Sequence, residues 1–429
     1  MAVADIFKKI VPMAVSYIGS GGSLIASSFA QLVTFAVLAR SLGAEQFALY
    51  VTITAFTNVA VQICGLGAQE TLVRRIAQNP ADHPRLMGHA LLLTGATGAA
   101  LLLVGLVALP ILVPVSPDAL ANLTAIGLLL VSTVLILRLV SLASAAYIAR
   151  SNFVVANTLE VGFGLIRMLA ALLGCLLFGV SSVLDWSVWL FAAHLATALV
   201  AIRLILRLGR PRYGIVREEI RIGALFSTQF IFKAIRQNTD IVLLGLFTSA
   251  EIVSSYGVAR RVLDSSYLSI EALNRLIYPG SAVAMMAGFH NAAGRVLRVM
   301  GAGIGIATLA ALAVFILAPL MPLLFGDEYG SMVGFTRILC WAVIPTAISS
   351  IALEAFGAAG RQDVRALIYN SANILAALLV AGATWVAGVE GAFASTYAME
   401  ILVAITACMV LWRFVETDRR RLGPAMPAL

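Results

Sequence analysis

The sequence predicts an all-α polytopic membrane protein. Three observations carry that expectation: hydrophobic residues make up 61% of 429 residues, charged residues only 12%, and the mean hydropathy is +0.98. A water-soluble domain needs about a quarter of its residues charged to cover its surface, so no soluble architecture fits this chain. The same figures exclude intrinsic disorder. The strands of a membrane barrel would show short alternating segments, whereas Leu, Ala and Gly run here in long apolar stretches.

A spanning helix needs about 20 apolar residues. Twelve such stretches are expected, at 11–39, 47–66, 86–113, 120–148, 153–178, 188–206, 222–247, 255–279, 299–324, 333–356, 367–389 and 392–412. The seventh and eighth are the most polar. The first follows Lys8 and Lys9 but is too long for the apolar part of a signal peptide, so it reads as a span that stays. Cys64, Cys175, Cys340 and Cys408 stand singly in apolar runs, as small core residues do.

Charge placement sets the expected orientation. Alternate loops, with the termini and the stretch around 207–221, hold twenty Lys and Arg residues, including Arg74, Arg75, Arg150, Arg212 and Arg361. The opposite loops hold only Arg40, beside Glu45, Asp118, Asp185, Glu251, Asp327, Glu328 and Glu390. Both termini are therefore expected in the cytoplasm. The net charge of +8 is mostly topological, which removes nucleic acid as a partner. The basic stretch also divides the chain into a six-helix bundle at 1–206, a cytoplasmic linker at 207–221 and a second bundle with a basic tail at 222–429. Ala44-Glu45 with Tyr50 recurs as Ala250-Glu251 with Tyr256, and Arg150 and Arg361 close the fourth span of each half. Both halves start on the same side, so the expected repeat is parallel, around a central cavity.

Eight basic residues remain inside the spans: Arg138, Arg167, Lys233, Arg236, Arg260, Arg261, Arg275 and Arg337. An ionised group at the bilayer centre costs about 2.5–3.5 kcal/mol on insertion scales, so these groups should face protein or water. Helical spacing puts Gln229, Lys233, Arg236, Gln237 and Asp240 on one face of the seventh span. Arg260, Asp264, Tyr267, Glu271, Asn274, Arg275 and Tyr278 share a face of the eighth. Glu160 and Arg167 share one in the fifth, Arg138 stands alone in the fourth, and the first carries Ser16, Ser20, Ser23, Ser27, Gln31 and Thr34.

Two roles suit these groups. Arg260 with Asp264, Glu271 with Arg275 and Glu160 with Arg167 can be ion pairs that fix helix register, although buried pairs cost more than apolar packing. Alternatively, the guanidinium and ammonium groups form an anion site, since Arg binds phosphate through paired, charge-assisted hydrogen bonds. On that reading Lys233, Arg236, Gln237, Arg260, Asn274, Arg275, Arg138 and Arg167 line the substrate cavity. Asp240, Asp264, Glu271 and Glu160 are then coupling or pairing carboxylates. Arg337 sits near a span end and snorkels. No GK[ST] follows Gly19, Gly21 and Gly22, and the four histidines have no metal-ligand spacing, so neither catalysis nor a cofactor nor a metal is expected.

Leu38-Ala39-Arg40-Ser41-Leu42-Gly43 with Phe47 and Tyr50 resembles the signature that follows the first span of bacterial polysaccharide transporters. Leu324-Phe325-Gly326-Asp327-Glu328-Tyr329, Ala359-Gly360-Arg361 and Gly388-Val389-Glu390-Gly391-Ala392 extend the resemblance over both halves; Ala48 stands where the family usually has Gly. These relatives belong to the multidrug, oligosaccharidyl-lipid and polysaccharide exporter superfamily. The resemblance implies a twelve-helix, two-bundle flippase of the Wzx type in the bacterial inner membrane. Its substrate would be undecaprenyl-diphosphate-linked oligosaccharide, with a polysaccharide polymerase and glycosyltransferases as partners. Rival expectations are a lipid-linked peptidoglycan precursor flippase, which usually has two more spans, and a cation-drug antiporter, which a cationic cavity disfavours. A membrane glycosyltransferase or polymerase would need long outer loops, and none is long.

Overall fold

The computed structural model describes residues 2–112, 119–285 and 288–422, with side chains undescribed at 2–21, 23–25, 112, 119, 272, 275–280, 282–283 and 421–422. Asp118 and the side chains of Ser16, Ser20, Ser23, Arg275, Tyr278 and Arg421 thus lie outside the described residues. The described chain is helical almost throughout, and eight of its helical segments are long and apolar enough to cross a membrane. It is a polytopic, all-α membrane protein.

The chain divides into two compact units. The first comprises Met1–Ser254 with Leu324–Glu328, and the second Ser255–Leu323 with Tyr329–Leu429.

The first unit opens with α1 (Ala2–Ile63), 62 residues long. At 1.5 Å per residue it would measure about 90 Å, three times the hydrocarbon thickness of a bilayer. It breaks at Gly43, whose φ of 69° and ψ of 168° no β-carbon favours. The break falls between the first two stretches expected from hydropathy. A tight turn through Gly65, Leu66 and Gly67 leads to α2 (Ala68–Gln78), followed by α3 (His83–Leu112) and α4 (Ala119–Leu130). A π-helical turn at Val131–Ile136 joins α4 to α5 (Leu137–Ile148). α6 (Phe153–Leu177) starts at Asn152, whose side chain accepts a hydrogen bond from the Val155 amide; α7 (Val183–Arg207) is capped by Ser182 in the same way, through Asp185. The core of this unit is small and aliphatic, with Leu72, Ile76, Met87, Leu142, Ala146 and Ala201 nearly sealed. Leu103, Val107 and Ile111, one turn apart on α3, are exposed as a lipid-facing helix requires.

α8 (Arg217–Phe247) packs on α1 and α2. Glycine explains the closeness: a β-carbon on Gly67 would lie 1.9 Å from the Gly223 carbonyl oxygen, and one on Gly223 2.6 Å from that of Leu66. The buried Glu219 carboxylate accepts a hydrogen bond from Arg75 Nε at 2.8 Å and lies 2.7 Å from Nη2 of the same guanidinium. The preceding linker is held as well, since Arg212 N donates to Pro84 O at 2.7 Å and Val216 N to His89 Nδ1 at 3.2 Å.

The second unit holds α9 (Ala250–Met285) beyond Ser254, then α10 (Phe289–Leu317), most of α11 (Met321–Phe325), α12 (Met332–Leu339), α13 (Val343–Ala358) and α14 (Gln362–Leu422). Like α1, α14 is too long for one membrane crossing; it breaks at Ala387 and Gly388 (φ 55°). Gly391 completes the bend, because a β-carbon there would meet the Ala383 carbonyl oxygen at 1.9 Å. The core joins α10, α13 and α14 through Ala292, Ala352, Phe356, Ile368 and Ala407.

Candidate functional site

The polar residues singled out within the spans fall in both units. Those of α8 belong to the first, those of α9 to the second.

In the first unit, the partners of Arg138 lie at the end of α1 and on α2. Arg138 projects from the first turn of α5, is 9% exposed, and spends its guanidinium on the end of α1. Nη2 donates to Val61 O at 2.6 Å, Nε to Cys64 O at 3.0 Å, and Nη1 to Gln69 Oε1 at 2.7 Å. The last carbonyls of a helix lack intrahelical partners and carry its negative dipole end, so a buried cation there is a cap. Glu160 accepts from Ser144 Oγ at 2.8 Å and is exposed. Arg167 is half-buried on α6, near enough to His194 to act on it electrostatically. His194 is itself buried, stacked 4.4 Å from the Phe163 ring, with Nδ1 3.0 Å from Ser132 O in the π-helical turn. The same carbonyl accepts from the Leu137 amide in that turn, a feature hydropathy does not reveal.

On α8, Lys233, Arg236 and Gln237 are half-buried and Asp240 is buried, with its Oδ1 accepting from the Ile241 amide at 2.8 Å. Asn238 completes the polar surface: its Oδ1 accepts from Asn58 Nδ2 of α1 at 3.1 Å, while its own amide donates to Ala234 O. Of the first-span stripe, Thr34 returns its hydroxyl to Ala30 O at 2.7 Å, a helix-internal bond.

In the second unit, Arg260 is 8% exposed and its Nε lies 3.9 Å from Asp264 Oδ1, one turn along α9. Tyr267 follows on the same face, next to Thr346 and within electrostatic reach of Arg260, Asp264 and Glu400. Thr346 Oγ1 donates to Glu400 Oε2 at 2.8 Å. Glu400 is 6% exposed and was not among the carboxylates the sequence singled out, because it stands alone in the apolar run of α14. Asn274, also buried, donates to Ser350 Oγ at 2.6 Å. It borders a small recess shared with Ser281, Val296, Val299, Ile351 and Glu354. Glu354 is held by Arg365 Nη2 at 2.6 Å. Glu271 is exposed on α9, and its expected partner Arg275 is not described. α9 thus carries Arg260, Asp264, Tyr267 and Asn274, and Glu400 of α14 stands within electrostatic reach of Tyr267.

Several solved structures share this fold. A multidrug resistance transporter of the MATE family and MOP superfamily, in its inward-facing conformation, superposes with a TM-score of 0.77 over 93% of this chain and 96% of its own, at 13% identity. A point mutant of the Vibrio cholerae MATE transporter VcmN gives 0.64 over 98% and 99%, at 14% identity. The MATE multidrug transporter DinF-BH, solved in complex with a ligand, gives 0.60 over 95% and 96%, at 15% identity. No curated protein matches the chain by sequence. The fold is therefore that of the MATE transporters. Residues 16–279 match the family model described as polysaccharide biosynthesis protein, and the chain belongs to that family. The assignment gives it a transport role in the membrane, not an enzymatic one.

Proposed function

We propose that this protein is a flippase that moves undecaprenyl-diphosphate-linked oligosaccharide across the bacterial inner membrane by alternating access, for surface polysaccharide biosynthesis. The observation that carries the reading is the conjunction of family and charge. A chain of the polysaccharide biosynthesis protein family carries Lys233, Arg236, Arg260 and Arg261 on α8 and α9, two helices that this reading sets in the membrane. Cations at that depth are costly, and a diphosphate headgroup gives them a function that lipid cannot.

On this reading α1 and α14 each cross the membrane twice, and α8 and α9 cross once despite their polarity. That gives twelve spans in two six-helix halves related by a parallel repeat, at 1–206 and 222–429, with the basic linker at 207–221 and both termini in the cytoplasm. Lys233, Arg236, Gln237, Arg260, Asn274, Arg275 and Arg167 contact the headgroup and first sugars. Asp240, Asp264 and Glu271 adjust the cavity's charge during the cycle. A polymerase and glycosyltransferases act on the same lipid-linked glycan before and after it crosses.

The test is export of lipid-linked oligosaccharide in a strain lacking its own flippase, with Arg260→Gln and Lys233→Gln beside the native chain. Loss of export with folded protein retained supports the reading; full export by both variants refutes the cationic site. A second reading, a multidrug antiporter, is favoured by the solved structures that share the fold, which are multidrug transporters. Extrusion of organic cations without any glycan export would select it.

A further inference from the structure

Leu324–Glu328 is five residues long, yet it belongs to the first unit while Leu323 and Tyr329 on either side belong to the second. It docks at the Gly43 break of α1. There the helix restarts at Ala44, whose amide has no carbonyl one turn behind it and so needs an outside acceptor. Glu328 Oε2 supplies it, at 3.1 Å, across 284 residues of sequence. Ser254 Oγ holds the other side of the same residue, donating to Ala44 O at 2.7 Å. Phe325 is 2% exposed and its ring lies 6.4 Å from that of Phe35, edge to face, while Phe35 contacts Phe47 at 4.9 Å in the same manner. Two of the motifs noted in the sequence, 38–43 and 324–329, thus meet in one contact.

The contact has the makings of a device that opens. The cap on Ala44 is one hydrogen bond, and Glu328 is exposed, so water replaces that acceptor at little cost. Gly43 (φ 69°) and Gly326 (φ 101°) supply the backbone freedom on both sides of it. A β-carbon on Gly43 would sit 3.3 Å from Glu328 Oε2, crowding the carboxylate. Any transport step that moves the second unit acts on this segment directly, through the peptide bonds at Leu323 and Tyr329.

We propose that Leu324–Glu328 is a releasable clasp: it caps the restarted helix at Ala44 in the state described here and lifts from it during the transport cycle. The proposal rests on the transport reading, and its test separates the two. Glu45 and Asp327, exposed neighbours of the bonded pair, are replaced by Cys in a chain whose four native cysteines are replaced by Ala, leaving Glu328 intact. A short bis-methanethiosulfonate reagent then ties them through two reducible disulfides.

Hydrogen exchange at residues 44–47, measured without substrate, should slow about tenfold or more when the tie is made, and return on reduction. In an otherwise native chain, Glu328→Gln should speed the same exchange. Glycan export should stop in the tied protein and resume on reduction, while each single-Cys chain treated alike continues. Exchange unchanged by the tie would mean the clasp never opens, and export at the untied rate would mean that opening is not required; either overturns the proposal. If the native chain exports no glycan, the flippase reading fails, and the exchange experiment still decides whether the clasp opens.

Discussion

Replacing Arg138 by Met tests whether an intramembrane arginine serves the fold or the substrate. Its guanidinium makes three hydrogen bonds, at 2.6, 2.7 and 3.0 Å, and two of them end on the last carbonyls of α1. A hydrogen bond involving a charged group is worth about 1.5–3 kcal/mol, so three sum to about 5–9 kcal/mol before corrections. Met removes the cost of burying the cation and fills much of the same volume, which returns part of that sum. Val61 O and Cys64 O are left without their cap, and a net loss of about 3–5 kcal/mol is expected. Lys can reach one or two of the three acceptors but lacks the fork, so Arg138→Lys should fall between. The assay is folded fraction against SDS or heat in purified protein, with export measured on whatever remains folded. Native stability in Arg138→Met together with lost export would refute the capping role and return Arg138 to the substrate.

Gly67→Ala should abolish folded protein, since its β-carbon would lie 1.9 Å from the Gly223 carbonyl oxygen at a φ of +73°, whereas Gly95→Ala, with nothing within 4 Å, should be silent; yield of monodisperse protein separates them. Arg75→Gln leaves the Glu219 carboxylate, 4% exposed, without its cation and should cost more stability than the double replacement Arg75→Gln with Glu219→Gln; a double-mutant cycle on unfolding reads the difference, and equal costs would refute the pairing. Gly388→Ala should destabilise the α14 bend by about 1 kcal/mol or more, because φ is +55° there, and a melting curve unchanged from native would refute it. Among the carboxylates, an amide at Asp240, Asp264 or Glu271 should alter the pH dependence of transport in reconstituted vesicles; three unchanged profiles would leave them as partners of the arginines.

The parts legible in the sequence were those fixed by solvent and by backbone. Hydropathy located eight long apolar helical segments because lipid leaves a spanning segment no other way to satisfy its amides; the two longest helices broke at Gly43, between the first two expected stretches, and at Ala387–Gly388, just inside the end of the eleventh. Their breaks sit on the motifs that carried the family resemblance, since a sharp turn between spans demands glycine wherever the chain goes next. Helical spacing proposed polar faces for α8 and α9. It could not give their partners. Arg138 resembles any other intramembrane cation in sequence, and only the end of α1 beside it makes it a cap. Glu400 carries no spacing signal at all, being one carboxylate in an apolar helix, and becomes part of a polar group through Thr346, 54 residues away. The same limit governs α8: its place with the first unit rests on Gly67, Gly223 and the Arg75–Glu219 pair, contacts between residues 144 or more positions apart. In a membrane protein the bilayer writes the helices into the local pattern, while the roles of the few charges inside it are set by close, long-range contacts. A buried cation in such a chain is therefore to be tested first against the helix ends around it, and assigned to a ligand once those are satisfied.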